Sequence, residues 1–163
     1  MNLGSLPLRT LILRVSLFAA LFAVATFASA QGPAKSAGDV PAASRIQPAE
    51  LVNAMKTGGQ KPAVLYVGPK AFYAQGHIPG ADYIGPVGKP DGLAELRTRV
   101  ASLPKSMPVV IYCGCCPWDH CPNIRPAFAE LKKEGFSNVR VLYLATSFGV
   151  DWKDKGLPVA SGE

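Results

Sequence analysis

The sequence predicts an α/β domain with a mainly parallel central sheet and helices on both faces. Three observations carry this. Short apolar runs alternate with amphipathic stretches along most of the chain. The runs are apolar throughout rather than at every second position, which suits strands covered on both sides. Gly and Pro punctuate nearly every boundary.

The elements follow in order from Ile46. Pro48 fits a first helical position, Leu51, Val52 and Met55 share one face, and Gly58-Gly59 stops the helix. Ala63 to Val67, bounded by Pro62 and Gly68, reads as a buried strand. A short helical turn is expected over Lys70 to Gln75, and a second strand over Ala81 to Ile84. Leu93, Leu96, Val100 and Leu103 recur at helical spacing until Pro104. Pro108 to Tyr112 is another apolar strand. Pro122 then opens a helix with Ile124, Ala127, Phe128 and Leu131 on its apolar face, and Gly135 closes it. Val139 to Leu144 is a further strand. Parallel sheets bind ligands at the C-terminal ends of their strands, and the strand ending at Tyr112 runs straight into the cysteines.

Ahead of these elements, residues 1–30 read as a secretory signal peptide. Arg9 and Arg14 precede the apolar run Val15 to Phe27, and Ala28-Ser29-Ala30 offers the small-x-small pattern for cleavage after Ala30. The competing reading is a retained anchor, although the apolar run is short of the roughly 20 residues a spanning helix needs. Any membrane association would come through this segment alone. The expected location is therefore outside the cytoplasm, periplasmic or secreted. Residues 31–43, small and rich in Pro and Gly, read as a flexible leader, and 44–163 as one domain. Cleavage would leave 133 residues, enough for one core and too few for two.

The formal charge of +6 is dispersed, with no basic stripe and no interleaved aromatics, which argues against nucleic acid as a partner. Small anions fit this balance better.

All four cysteines lie between Cys113 and Cys121. A disulfide framework would spread them along the chain, so the crowding marks a site. The segment C-G-C-C-P-W-D-H-C-P-N joins a strand to a helix N-terminus. There, unpaired backbone N–H groups and the helix dipole favour a thiolate or an anionic ligand. Cys113 follows the strand directly, and Cys121 sits beside the helix start. Gly114, Trp118, Asp119, His120 and Asn123 complete the loop. A reactive thiol is the leading reading. A disulfide from Cys115 or Cys116 to Cys121 is a second, and a soft-metal site formed by the cysteines with His120 is a third. Trp118 is placed to shield the site or dock a partner. His120 is placed to supply a proton or a ligand, with Asp119 to orient it. No cofactor is expected and no metal ligand set is assigned.

Several of these segments resemble the rhodanese (sulfurtransferase) family. G76-H-I-P-G-A81 looks like that family's GHIPGA signature. V-V-I-Y-C113 is similar to its strand ending in the active-site cysteine. G135-F-S-N-V139 and W152-K-D-K-G-L-P-V159 match two later patterns, so the resemblance runs from about Ile46 to Val159. It implies that Cys113, as thiolate, attacks a sulfane sulfur donor such as thiosulfate or a persulfide. The resulting Cys113 persulfide would pass its sulfur to a thiol, a protein or another thiophilic acceptor. Cys115, Cys116 or Cys121 would then be candidates to resolve the persulfide by forming a disulfide. The alternative is a metal-binding or disulfide-redox module on the same scaffold, without sulfur transfer. In the resemblance, His77 is a packing and hydrogen-bonding residue.

The chain also departs from the family pattern. The loop after Cys113 is about five residues longer than the usual compact ring. Asn123 stands roughly where an Arg is common, Tyr66-Val67-Gly68 replaces Asp-Val-Arg, and Thr146-Ser147 replaces a Gly-Gly pair.

Overall fold

The computed structural model describes Met1, residues 39–57 and residues 59–162. The signal-peptide reading of 1–30 and most of the 31–43 leader lie outside the described residues.

Five parallel strands form one sheet in the order β1-β5-β4-β2-β3: β1 Arg45–Ile46, β2 Ala63–Tyr66, β3 Asp82–Tyr83, β4 Val109–Tyr112 and β5 Val139–Leu142. The helices are α1 Pro48–Lys56, α2 Lys70–Gln75, α3 Pro90–Val100, α4 Ile124–Lys133 and α5 Phe148–Asp151. α1 starts as its sequence suggests. Pro48 occupies the first turn, and the Glu50 carboxylate accepts from the Gln47 N–H at 2.8 Å in a capping box.

Side-chain alternation along β4 divides the core in two. Val109, Ile111 and then Cys113 point toward Leu96, Val100, Ala127, Phe128 and Leu131 of α3 and α4. Val110 and Tyr112 point the other way, toward Leu51, Tyr73, Phe148 and Trp152. Cys113 therefore continues the strand's pattern onto the α4 face. β4 is flanked on both sides, by β2 and β5, and all four of its residues are buried.

The strands are shorter than their apolar runs suggest, because pairing ends before burial does. Val67 donates to the Tyr112 carbonyl at 2.9 Å just beyond β2, and Leu144 is buried beyond β5. Two elements carried no sequence signal of their own. β1 is two residues long and is defined by pairing Arg45 with Val141 and Ile46 with Leu142. α5 is four residues long and is held at its start by the Ser147 hydroxyl, which accepts from the Val150 N–H at 3.2 Å. The boundary expected at residue 44 falls inside the packing. Val40 is buried against the α4 side of the core, and Asp39 pairs with Arg125 at 3.8 Å.

The Gly76–Ala81 segment is a structural anchor. The Tyr112 hydroxyl accepts from the Ile78 N–H at 2.9 Å, and the Tyr73 hydroxyl donates to the Ala81 carbonyl at 2.6 Å. His77 is buried, stacks on Tyr73 with centroids 3.8 Å apart, and exchanges two backbone hydrogen bonds with Ala160. Trp152 is fully buried and donates its indole N–H to Pro158 at 2.8 Å. Among the described residues, no helix is long and apolar enough to cross a membrane.

Candidate functional site

The end of β4 delivers Cys113 to the mouth of the sheet. Gly114 turns the chain there with φ +75°, a conformation that favours glycine. It also leaves no room for a side chain, since a Cβ would lie 2.7 Å from that of Phe148. The loop is pinned to the segment before α5. The Gly114 carbonyl accepts from the Phe148 N–H at 3.0 Å, and the Trp118 N–H donates to the Ala145 carbonyl at 3.1 Å.

Cys113 is buried, with only 2% of its surface exposed, yet it borders two hollows. The larger, about 250 Å³, is lined by Cys113, Gly114 and Cys115 together with Tyr66, Phe72, Gln75, Gly76, the Ser147–Gly149 segment and Lys153. The smaller, about 10 Å³, lies between Cys113, Cys116, Trp118 and Cys121. Cys115 borders only the larger space, and Cys116 and Cys121 only the smaller.

The four cysteines form a closed set of neighbours, and all are free thiols. Cys113 Sγ lies 3.2 Å from Cys115 Sγ, and Cys115 Sγ lies 3.4 Å from Cys116 Sγ. Cys121 is buried and shares the smaller hollow with Cys113 and Cys116. Asn123 adds a further contact, its side-chain amide donating to Cys113 Sγ at 3.5 Å. Its carbonyl oxygen accepts from the Gly88 N–H at 2.9 Å. Asn123 immediately precedes α4, but its side chain does not cap the helix. The Cys121 sulfur takes that role by accepting the backbone N–H groups of Asn123 and Ile124.

This arrangement divides the ionisation between two thiols. The hydrogen bond from Cys113 lowers Cys121 most, and the two backbone amides add to it. Together they outweigh burial and bring Cys121 down to about 6. Cys113 moves strongly upward, first because it donates to Cys121 and then because it is buried. Burial, followed by its hydrogen bond to Cys115, pushes Cys116 up to about 12. The two shifts run in opposite directions, so Cys121 is the thiol favoured to ionise and Cys113 the one favoured to keep its proton. Burial and then the adjacent Cys113 push the Tyr66 phenol well above its ordinary value, so it stays protonated at the larger cavity. Lys153 is the one charged residue among those lining that cavity.

The remaining loop residues spread outward. Trp118 packs on Tyr143 with centroids 5.0 Å apart, and the Arg45 guanidinium lies 5.0 Å from the indole centroid. It does not line the larger cavity but borders the smaller hollow together with Cys113. Asp119 and His120 are exposed and line neither hollow. Among the described residues, no group of three or more Cys, His, Asp or Glu is arranged to hold a metal ion.

Sequence reasoning did not single out Tyr66, Gly68, Ser147, Phe148 or Lys153 for the site. Gly68 carried a signal in retrospect, since it stands where the resemblance expects a long side chain. Lys153 lies 40 residues beyond Cys113, so only the fold could bring it to the cavity.

A match to the rhodanese-like domain spans residues 47–145. That is more than half of the chain, and it includes β2 to β5 and the cysteine loop. The chain belongs to the rhodanese-like domain family. No curated protein matches the sequence significantly. Among solved structures, the BH2092 protein of Bacillus halodurans is 24% identical with a TM-score of 0.56, over 72% of this chain and 76% of that one. The Alr3790 protein of Anabaena sp. is 22% identical with a TM-score of 0.54, over 71% and 82%. Both support the fold alone. A thiosulfate sulfurtransferase of Pseudomonas aeruginosa is 28% identical with a TM-score of 0.53. The match covers 73% of this chain but only 19% of that enzyme.

Proposed function

We propose that this protein is an exported sulfurtransferase that carries sulfane sulfur as a persulfide on Cys113. One observation carries the reading. Cys113 ends the central strand and borders a cavity of about 250 Å³, with the Asn123 amide donating to its sulfur at 3.5 Å and Cys121 sharing its smaller hollow. A thiol so placed meets a small donor entering the cavity, with a neighbouring cysteine at hand to take its proton.

The first half-reaction follows from this geometry. Thiosulfate enters beside Lys153. Cys113 Sγ attacks the sulfane sulfur, and the Cys113 proton passes to Cys121. The sulfur–sulfur bond of the donor breaks, and sulfite leaves with the electron pair. Tyr66 lines the same space, with its hydroxyl donating to the Pro69 carbonyl at 3.3 Å. The acceptor is a thiol, small or on a protein. Export rests on the pattern in residues 1–30 and periplasmic or secreted placement follows from it.

The test is intact mass on reduced protein exposed to thiosulfate, for the wild type and Cys113→Ser. The expected result is one added sulfur in the wild type and none in the variant. No gain in either at any time point, with no sulfite or hydrosulfide released, would overturn the enzyme reading. Gain in both would leave sulfur transfer standing and remove Cys113 from the role.

A further inference from the structure

We infer that Cys121 is the resolving thiol of this site, and that the persulfide on Cys113 is discharged inside the protein as hydrosulfide, leaving a Cys113–Cys121 disulfide. The inference rests on the persulfide reading above and goes beyond it. It turns a simple sulfur carrier into a persulfide reductase that needs an external dithiol.

The geometry separates the candidate thiols by position. Displacement at sulfur proceeds in line, so the attacking thiolate must lie opposite the bond that breaks. The terminal sulfur of a Cys113 persulfide sits in the larger cavity. Cys115 borders that same cavity and so shares the side of the leaving sulfur. Cys121 borders only the smaller hollow, which it shares with Cys113, and not the cavity of the leaving sulfur. Cys116 borders the same hollow, but its first sulfur neighbours are Cys115 and Cys121, not Cys113. Cys121 is also the thiol that α4 activates, through the amides of Asn123 and Ile124.

The step balances. After loading, Cys121 holds the proton taken from Cys113, and the persulfide carries the negative charge. Cys121 releases that proton to solvent, its thiolate attacks Cys113 Sγ, and the departing terminal sulfur takes a proton from solvent in the larger cavity. The Cys113–sulfur bond breaks, the Cys113–Cys121 bond forms, and hydrosulfide leaves with the electron pair. The terminal sulfur is reduced and the two cysteines are oxidised. A dithiol then reduces the new disulfide by exchange and becomes oxidised itself. Over a full cycle, thiosulfate and a dithiol give sulfite, hydrogen sulfide and the oxidised dithiol.

The test follows one turnover without added thiol. Reduced protein is loaded with thiosulfate, freed of excess donor, and watched anaerobically by intact mass and hydrosulfide release. Wild type should lose its added sulfur as one equivalent of hydrosulfide and settle two hydrogens below the reduced mass. Cys121→Ser, which also lacks the acceptor for the Cys113 proton and is therefore loaded to the same occupancy by longer exposure or directly with a persulfide donor, should hold its sulfur at least about tenfold longer, because the in-line sulfur is gone, and discharge it when a dithiol is added. Cys115→Ser, once loaded to the same occupancy, should still release hydrosulfide without added dithiol. Peptide mapping of spent wild type should show Cys113 joined to Cys121, which decides the matter even if Cys121→Ser does not fold. The inference is overturned if Cys121→Ser discharges at the wild-type rate, or if mapping joins Cys113 to Cys115 or Cys116. Wild type that loads and keeps its sulfur overturns this inference alone. Wild type that never loads overturns the persulfide reading as well.

Discussion

Gly68 touches the Cys113 side chain so closely that a Cβ at position 68 would lie 2.7 Å from Cys113 Sγ. The same atom would lie 2.7 Å from the Tyr66 hydroxyl. Gly68→Ala must therefore move the sulfur or the phenol. Overpacking of this kind costs about 1–3 kcal/mol. Denaturant unfolding should show that loss, and persulfide loading should slow more than stability alone explains. Unchanged loading would mean that the sulfur does not need its present position.

Asn123 joins the Gly88 N–H to the Cys113 sulfur, and two variants separate those contacts. Asn123→Ala leaves the Gly88 N–H without its partner, at a cost of about 1–3 kcal/mol. Asn123→Asp keeps an acceptor for Gly88 but places negative charge beside the sulfur. It should slow thiosulfate loading while costing less stability than the alanine variant. Equal loading rates in wild type and Asn123→Asp would remove Asn123 from the chemistry.

Thiolate absorbance should rise as pH passes through about 6, because Cys121 is lowered by its bonds from Cys113 and the α4 amides. Loading should rise over the same range, since Cys121 must be a thiolate to take the Cys113 proton. Cys121→Ser should abolish the step, and Cys113→Ser should move it to higher pH. The linked effect on stability has a definite sign. Cys121 is an acid with a lowered folded value, so its contribution is full above the ordinary thiol value of 9.0 and is lost as pH falls through about 6. A flat absorbance between pH 5 and 8 (roughly the range in which only histidine would ordinarily titrate) would contradict the charge assignment.

Lys153 is the cation of the larger cavity, and it is exposed. Lys153→Met should raise KM for thiosulfate by roughly 3–10-fold, the scale of a screened ionic contact of about 1 kcal/mol. KM for an uncharged persulfide donor should hardly change. Equal effects on both donors would show that the residue shapes the wall rather than selecting charge.

Trp118 offers a contrast. Trp118→Ala removes its contacts with Arg45 and Tyr143, which should cost about 1–3 kcal/mol as packing and cation–π attraction are lost. It should leave KM for thiosulfate unchanged, because the indole does not line the larger cavity. A large rise in KM would restore the shielding role that its place in the loop suggested.

The fold was readable where side-chain pattern and burial coincide. The apolar run before Cys113 announced β4, and helical spacing at Ile124, Ala127, Phe128 and Leu131 announced α4. β1 was hidden because two residues have no period, and its existence depends on pairing with Val141 and Leu142. α5 was hidden because its start depends on Ser147 and on Asp151, whose carboxylate accepts from the Thr146 and Ser147 N–H groups. In the loop, the residues were readable but their order of ionisation was not. Cys113 and Cys121 are both beside structural ends that could activate a thiol. Only the hydrogen bond between them, set by how eight residues fold back, decides which one holds the proton.

Both margins of the sheet are two residues long, Arg45–Ile46 on one side and Asp82–Tyr83 on the other. Each margin begins with a charged residue, and Asp82 is engaged by Arg99. Long flat edges invite a foreign strand to add to them, whereas short charged ones give it too few backbone groups to hold. The longer strands β2, β4 and β5 are all interior. The architecture that brings the cysteine loop to the sheet's centre thus also guards the chain against joining its own copies edge to edge.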